Sequence, residues 1–347
     1  MKDLRLNKTK DVEFFFEKCR KENIYINSNL YINKISENNY GVFTKKNIQK
    51  DSRLISIPID FFLTEKIFYD FLYEKKINYP NSEILESYFS FIPNLDYFEK
   101  NHILYIKDNE LDNIIKLFSV NSLLKKDIIS KFRTFQKLNE IEKYVYLVFR
   151  SRSFNSKNES CLIPVMDLVN YRPLSNRLKK NDKEVYFNTN DTLKKNDEFF
   201  HTYNYEDEIS FYLNYSFRYL DYKIVSIPAN YFAFTIPLNL NTSINEFFWN
   251  LSKTKNKISN KEKIIFNDVF DTTEFEIEMS QIFPREIYLK ILTKVLSGIK
   301  NEINLDEVNK IIENGNNCEL VVEFAKILKN YHLNLEKLQK KHQQLNQ

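Results

Sequence analysis

The chain has 347 residues, of which 43% are hydrophobic and 15% aromatic, with 30 phenylalanines and 22 tyrosines. This composition provides enough apolar surface for sizeable cores, so a fully disordered chain is excluded, and the length fits about two domains. Lys and Arg (51) nearly balance Asp and Glu (47), and the resulting net charge of +4 does not demand a nucleic-acid partner.

Cysteine, histidine and glycine are too scattered for several common kinds of site. The three cysteines lie far apart and the four histidines form no paired motif, which argues against a disulfide framework and a metal site. The three glycines stand alone, so a glycine-rich phosphate-binding motif is excluded. The N-terminus lacks the apolar region of a secretory signal, and no apolar stretch is long enough to cross a bilayer. We therefore predict a soluble cytoplasmic protein without a membrane partner, with the nucleus or an organelle left open.

Hydrophobic periodicity predicts short strands followed by a long helical block. Residues 11–24 are predicted to form a short helix. Residues 29–58 are predicted to form strands, with a turn at residues 38–41 and a strand at residues 53–58. From about residue 65 to residue 149, apolar residues recur at helical spacing. The first half of the chain therefore combines a small sheet with helices.

Strand patterns return in the second half of the chain and then give way to helices. An apolar run at residues 162–166 ends at Asp167, and alternation predicts strands at residues 184–189 and 198–203. After Pro237 the predicted helical segments are residues 245–251, 284–299, 305–314 and 318–344. Strands interrupted by a helical block and followed by helices are typical of an α+β protein.

Four segments share their order and spacing with one known family. They comprise residues 39–48 with 54–58, residues 87–93, residues 150–154 with 162–171, and residues 194–204 with 213–217. Together they resemble the SET-domain methyltransferases, in the group that contains the Rubisco large-subunit lysine methyltransferases and the actin-histidine methyltransferases. The resemblance extends over nearly the whole chain, because the helical C-terminal third is similar to the substrate-binding domain of that group.

The resemblance implies a fold, a cofactor and an activity. The implied fold is a SET domain of small β-sheets with a pseudoknot over residues 1–235. It carries an inserted helical block at about residues 65–150, and an all-helical substrate-binding domain follows over residues 236–347. The implied cofactor is S-adenosylmethionine, and the implied reaction methylates a side-chain nitrogen of a non-histone protein, with lysine preferred and histidine as the second option. We expect a monomer without a metal or a nucleic-acid partner.

The residues that match the family's motifs define the implied site. Tyr203 matches the catalytic tyrosine, whose phenol holds the nitrogen nucleophile in line with the methyl carbon. Asn170 matches the asparagine that binds the amino group of the cofactor through its side-chain oxygen. The other positions implied to line the cofactor are Asn39, Tyr40, Gly41, Phe43, Arg152, Asp167, Leu168, Val169, Tyr171, Tyr215, Ser216 and Phe217.

Several of these residues also have a purely structural interpretation. Asn170 is compatible with an ordinary turn, and Asp167 with a turn or a helix cap. Arg152 is compatible with a surface charge, and Tyr203 is one of 22 tyrosines. The functional interpretation therefore depends on the family resemblance rather than on the residue types alone.

At some positions the chain departs from the family's pattern. Tyr171 stands where the family has histidine, and Asn39, Asn204 and Ser216 stand where it has glycine. Glu208 falls where the family often has asparagine. The substitutions at positions 171, 204 and 208 motivate an alternative, a catalytically silent SET scaffold that binds a protein partner through its helical C-terminal domain. A third interpretation, a basic helical nucleic-acid binder, is disfavoured by the near-balanced charge.

Overall fold

A computed structural model of the chain describes residues 2–5, 12–36, 39–120, 122–156, 159–202, 208–216, 225–228, 263–266, 293, 295–314 and 317–344. The chain divides into two compact units. The first unit comprises residues 1–101 and 138–204, and the second comprises residues 102–137 and 205–347.

Short strands and helices alternate along the chain. The helices are α1 (Val12–Lys21), α2 (Glu65–Leu72), α3 (Ser82–Phe89), α4 (Leu95–Asn101), α5 (Asp108–Lys116), α6 (Leu123–Gln136), α7 (Glu140–Arg152), α8 (Glu208–Tyr215), α9 (Leu305–Asn314) and α10 (Glu319–Gln344). The strands are β1 (Tyr25–Ile26), β2 (Leu30–Ser36), β3 (Asn39–Thr44), β4 (Arg53–Pro58), β5 (Leu63–Thr64), β6 (Phe154–Ser156), β7 (Glu159–Leu162), β8 (Asn170–Asn176), β9 (Lys179–Lys180), β10 (Glu184–Asn188), β11 (Glu198–His201), β12 (Val225–Pro228) and β13 (Lys263–Phe266).

The first unit contains three small sheets. Their strand orders are β1-β4-β10-β9, β2-β3-β11-β8 and β5-β7-β6. The pairing is antiparallel except between β8 and β11, which run parallel. In each of the first two sheets, strands from the N-terminal part of the chain pair with strands that follow residue 169. The sheets therefore join the two ends of the first unit across the helices between them.

Helices α2, α3 and α7 pack around an aromatic core in the first unit. The Phe68 ring contacts the rings of Phe89, Tyr144 and Phe149, with centroid distances of 5.8–6.4 Å. Helix α7 begins with a capping box, in which Asn139 and Glu142 exchange hydrogen bonds between side chain and backbone. The predicted periodicity at residues 65–149 thus reflects helices that bury one apolar face.

The second unit is built on the long helix α10. The rings of Tyr212 on α8 and Phe324 on α10 stack with centroids 6.1 Å apart, and the Tyr212 hydroxyl donates to the Leu320 carbonyl at 3.2 Å. Phe118, which follows α5, approaches the same Phe324 ring at 6.5 Å. None of the helices in the described residues is long and apolar enough to cross a membrane.

The mixture of small sheets and helices confirms the predicted α+β class, and two local details differ from the prediction. Residues 39–41, predicted to turn, belong to strand β3, because Asn39 already pairs with Ser36. Lys263–Phe266, in a region predicted to be helical, forms a ladder with β12. Its neighbouring isoleucines, Ile264 and Ile265, favour an extended backbone.

The compact units divide the chain at other positions than the predicted domains, and this division does not test the predicted boundaries. The helical block predicted at about residues 65–150 contains helices α2 to α7, but α5 and α6 belong to the second unit. The predicted boundary between residues 235 and 236 lies outside the described residues and stays a prediction.

Candidate functional site

The sheet β2-β3-β11-β8 has one buried face and one half-buried face. In β11 the side chains of Phe199 and His201 are buried, whereas Glu198 and Phe200 are half-buried, because successive side chains of a strand point to opposite faces. Asn170 pairs with Phe200 across the parallel ladder between β8 and β11, so it lies on the same face. We call this half-buried side the open face.

Asn170 is held by two acceptors on the open face. Its Nδ2 donates to the Tyr40 carbonyl at 3.1 Å and to Glu198 Oε1 at 2.7 Å. A primary amide has two N–H donors and one oxygen, so both donors are used. Among the described residues no donor reaches Asn170 Oδ1. The amide therefore presents a hydrogen-bond acceptor to a ligand on this face.

Gly41 provides the space that this arrangement needs. A Cβ atom at position 41 would lie 2.5 Å from Glu198 Oε1 and 2.9 Å from Ile35 Cδ1. Both distances are shorter than real side-chain contacts, so any larger residue would displace the Glu198 carboxylate. Phe43 lies two residues further along β3, and its ring contacts Tyr31 with a centroid distance of 5.9 Å.

Glu198 was not identified from the sequence. Burial raises the pKa of its carboxyl group, and the hydrogen bond from Asn170 and the charge of Arg172 oppose that rise. The Arg172 guanidinium lies 3.8 Å from the centroid of the Phe200 ring, beside Glu198 on the open face. Glu198 lies inside the matching segment 194–204, but an acidic residue in a predicted strand normally indicates a solvent-exposed side chain.

The segment that leads into β8 has a strained backbone. Val165 has φ 74° and ψ −45°, a positive-φ conformation near that of a γ-turn, which a β-branched residue rarely adopts and which costs on the order of 1–3 kcal/mol. A single 3-10 turn, Met166–Leu168, follows, and β8 begins two residues later at Asn170. The side chains of Leu168, Val169 and Tyr171 are buried.

A buried ion pair connects this segment to the end of helix α7. Arg152 Nη1 donates to Asp167 Oδ2 at 2.9 Å, and the Tyr88 hydroxyl donates to the same oxygen at 2.7 Å. The Asp167 side chain is 1% exposed and that of Arg152 17%. Burial raises the pKa of Asp167, and the positive charge of Arg152 opposes that rise. Because both groups donate to Oδ2, the carboxylate joins Arg152 and Tyr88, while Asp167 Oδ1 has no hydrogen-bond partner among the described residues.

The predicted site residues are only partly described. The structure brings Tyr40, Gly41 and Asn170 together, with Asn39 exposed at the start of β3. Tyr203 and Phe217 lie outside the described residues, so their roles stay predictions. Next to Tyr203, the Thr202 hydroxyl accepts from the Ser175 amide at 2.6 Å and donates to the Arg172 carbonyl at 3.1 Å.

Tyr215 and Ser216 belong to the second unit, at the end of α8. The Tyr215 ring lies 4.6 Å from the ring of Phe211. Ser216 has a φ of 52°, a left-handed value that glycine adopts more readily than other residues. Its hydroxyl oxygen accepts from the Ile103 amide at 3.1 Å. The implied contact of both residues with the cofactor stays a prediction.

No group of His, Cys, Asp and Glu side chains in the described residues could hold a metal ion. The groups that the described part of the site offers are an amide oxygen, backbone carbonyls, a carboxylate and aromatic rings. Such a set suits a ligand that carries an ammonium group.

Comparison with known proteins supports the fold. No family model and no curated protein matches the sequence. The SET domain of LSMT bound to lysine and AdoHcy is 12% identical over 96% of this chain and 91% of that chain, with a TM-score of 0.52. Rubisco LSMT bound to sinefungin and monomethyllysine is 11% identical over 98% of this chain and 93% of that chain, with a TM-score of 0.56. At this identity the similarity establishes the fold alone: the chain has the SET-domain fold that its sequence motifs imply.

Proposed function

We propose that the chain is an S-adenosylmethionine-dependent methyltransferase that modifies a side-chain nitrogen, preferably of lysine, in a non-histone protein. The carrying observation is the Asn170 amide, which keeps its oxygen unengaged by the described residues on the open face of a SET-fold sheet. Solved structures of this fold hold AdoMet, AdoHcy or sinefungin, and some also hold lysine or methyllysine. We further propose that the protein acts as a monomer and binds its substrate protein through residues 236–347.

The residues of the open face fit the amino-acid end of this cofactor. An ammonium group needs oxygen acceptors, and Asn170 Oδ1 would accept one of its protons. The backbone of residues 39–43 and of residues 167–171 would line the same ligand. When bound, S-adenosylmethionine supplies an electrophilic methyl group on a positively charged sulfur. It carries no phosphate, so the lack of a glycine-rich phosphate motif is compatible with the proposal.

Tyr203 would act on the nucleophile. A lysine side chain has a pKa of about 10.4, so presenting it uncharged at pH 7 costs roughly 4–5 kcal/mol. Desolvation and a nearby positive charge lower that pKa, which removes part of the cost. The Tyr203 phenol would then hold the neutral amine in line with the methyl carbon, which is a positioning effect.

Two measurements on the full-length chain test the proposal. Isothermal titration calorimetry should detect binding of S-adenosylmethionine, and the absence of binding at high micromolar concentration would contradict it. With a radiolabelled methyl donor and a lysate of the source organism, the wild-type protein should label a protein. The variant Tyr203→Phe should keep its affinity for the cofactor and lose most turnover, because only the phenol oxygen is removed.

The second candidate function is the silent scaffold, and Glu208 is the observation that favours it. Its side chain is buried in α8 and accepts a hydrogen bond from Asn330 on α10. A residue that departs from the family's pattern is thus engaged inside the helical unit. A scaffold of this kind would bind a protein partner but show neither cofactor binding nor automethylation with the labelled donor.

A further inference from the structure

Glu198 occupies a position for which the proposed reaction gives no role. It lies on the central strand β11, opposite Phe43 on β3, and its side chain reaches Asn170 on β8. Its carboxylate is half-buried, in a place where burial raises its pKa. A solvated strand residue would not need the space that Gly41 leaves for it.

The orientation of the Asn170 side-chain amide is fixed only if a neighbouring group distinguishes its oxygen from its nitrogen. Its oxygen and nitrogen are similar in size, so a half-turn of the terminal torsion exchanges the acceptor for a donor. If the Tyr40 carbonyl were the only neighbour, flipping the amide would cost only the hydrogen bond between Asn170 Nδ2 and that carbonyl. With Glu198 present, the flipped state would also place the amide oxygen 2.7 Å from a carboxylate oxygen. Two oxygens that carry lone pairs repel each other at that distance.

We propose that Glu198 is a positioning residue that holds the Asn170 amide with its oxygen toward the ammonium group of the cofactor. This inference rests on the proposed function, because it needs a ligand with an ammonium group. Glu198 acts through Asn170 and does not touch the reacting atoms. Gly41 belongs to the same device, since a side chain at position 41 would push the carboxylate away from the amide.

If Glu198 orients the Asn170 amide, its loss should weaken the binding of some ligands and not of others. A ligand with an ammonium group depends on the orientation of the Asn170 amide, whereas an otherwise identical ligand without that group does not. Damage to the fold would weaken the binding of both ligands equally. S-adenosylhomocysteine and its deaminated analogue, in which hydrogen replaces the ammonium group, therefore form a matched pair of probes.

The experiment measures the affinity of both probes for the full-length wild-type protein and two variants, directly or by competition calorimetry. Glu198→Ala should bind S-adenosylhomocysteine roughly tenfold more weakly, the effect of losing one hydrogen bond to a charged group. It should bind the deaminated analogue as tightly as the wild type does. Glu198→Gln should recover most of the affinity, because its amide oxygen can still accept from Asn170 Nδ2.

A control variant and a double variant complete the design. Glu184→Ala removes another half-buried strand carboxylate, which accepts from Ser56 and Arg53 in a different sheet, and should leave both affinities unchanged. In an Asn170→Ala background, the further change Glu198→Ala should have no effect on S-adenosylhomocysteine, because the amide that it positions is gone.

The possible failures can be told apart. If the wild type does not bind S-adenosylhomocysteine, the proposed function fails, and the role of Glu198 fails with it. If the wild type binds but Glu198→Ala binds equally well, only the role of Glu198 is overturned. An equal loss for both probes would also overturn it, since that result indicates structural damage rather than a loss of orientation.

Discussion

Asp167 and Asn170 lie three residues apart, yet their surroundings differ completely. The Asp167 carboxylate is buried against Arg152 and Tyr88. The Asn170 amide is half-buried and leaves its oxygen unengaged by the described residues. The family resemblance assigned both residues to the cofactor site. The difference shows that a motif identifies a segment, whereas burial decides which of its side chains anchors the fold and which one keeps a hydrogen-bond acceptor available.

The largest effect is expected at the anchor. Asp167→Ala leaves the Arg152 guanidinium and the Tyr88 hydroxyl without their shared acceptor, and removing one partner of a buried ion pair costs about 3–5 kcal/mol. Chemical denaturation should show a loss of this size in the free energy of unfolding. Asp182→Ala, at an exposed position, should change it by less than about 0.5 kcal/mol. Equal effects of the two variants would show that the buried pair does not anchor the segment.

The next largest effect is the pH dependence of stability that we expect from His201, on the buried face of the sheet β2-β3-β11-β8. Burial lowers the pKa of His201 to about 4, against 6.5 in the unfolded chain, and its Nδ1 contacts the Asn176 carbonyl at 3.0 Å. Between these values the unfolded state binds the extra proton. The free energy of unfolding is therefore unaffected by His201 above pH 6.5. As the pH falls from 6.5 toward 4, it decreases by up to about 3 kcal/mol.

Urea unfolding at pH 7.5 and at pH 4.5 measures this dependence. The wild type should lose more stability between the two values than His201→Asn, because the variant has no imidazole to protonate. His332→Gln provides a control, since His332 is also buried but its pKa is less strongly lowered. An identical pH dependence in the wild type and His201→Asn would show that His201 does not remain neutral in the folded protein.

Asn170→Ala should affect binding rather than stability. Loss of a hydrogen bond to a charged group corresponds to about 1.5–3 kcal/mol, or a roughly 10- to 150-fold weaker affinity for S-adenosylmethionine. Calorimetry measures the affinity and thermal unfolding checks the fold. The exposed residue Asn155 lies on β6 in a different sheet, and Asn155→Ala should leave the affinity unchanged. If Asn170→Ala instead strongly destabilises the protein, Asn170 mainly stabilises the fold, as we infer for Asp167.

The smallest effects are expected at two glycines with opposite surroundings. Gly41→Ala forces a Cβ against Glu198 and Ile35 and should destabilise the protein by about 1–3 kcal/mol. Gly298 lies in the helical residues 295–300, where an added Cβ would meet no atom within 4 Å, so Gly298→Ala should stabilise the protein by about 0.5–1 kcal/mol. Thermal unfolding gives the sign of both changes, and equal signs would contradict the crowding at Gly41.

Regular periodicity made much of the fold predictable. The helix at Leu305–Asn314 and the strands at Arg53–Pro58 and Glu184–Asn188 follow from apolar spacing and turn residues, and the structure confirms them. Irregular backbone gave no such signal. The apolar run at residues 162–166 reads as a continuous strand, but β7 ends at Leu162 and the chain turns at Val165. Pro164 signals a break in the run, but a valine does not indicate a positive φ, so the conformation of that turn could not be predicted.

The candidate site was predictable where it depends on motif positions and unpredictable where it depends on burial. Asn170 and Gly41 were identified from the resemblance, and the structure places both beside Glu198 on the central strand β11. Glu198 was missed because an acidic residue in a strand normally faces solvent. Its partners on β3 and β8 are distant in sequence, so only the sheet pairing reveals the contact.

The central claim is that the Asn170 amide oxygen receives the ammonium group of a bound cofactor. A crystal structure of the full-length chain with S-adenosylhomocysteine measures this contact directly. We predict that Asn170 Oδ1 lies within about 3.2 Å of the ligand nitrogen, a normal hydrogen-bond distance, while Nδ2 keeps Glu198 and the Tyr40 carbonyl as acceptors. A ligand bound away from the open face, or an Asn170 amide turned with Nδ2 toward the ligand, would contradict the account.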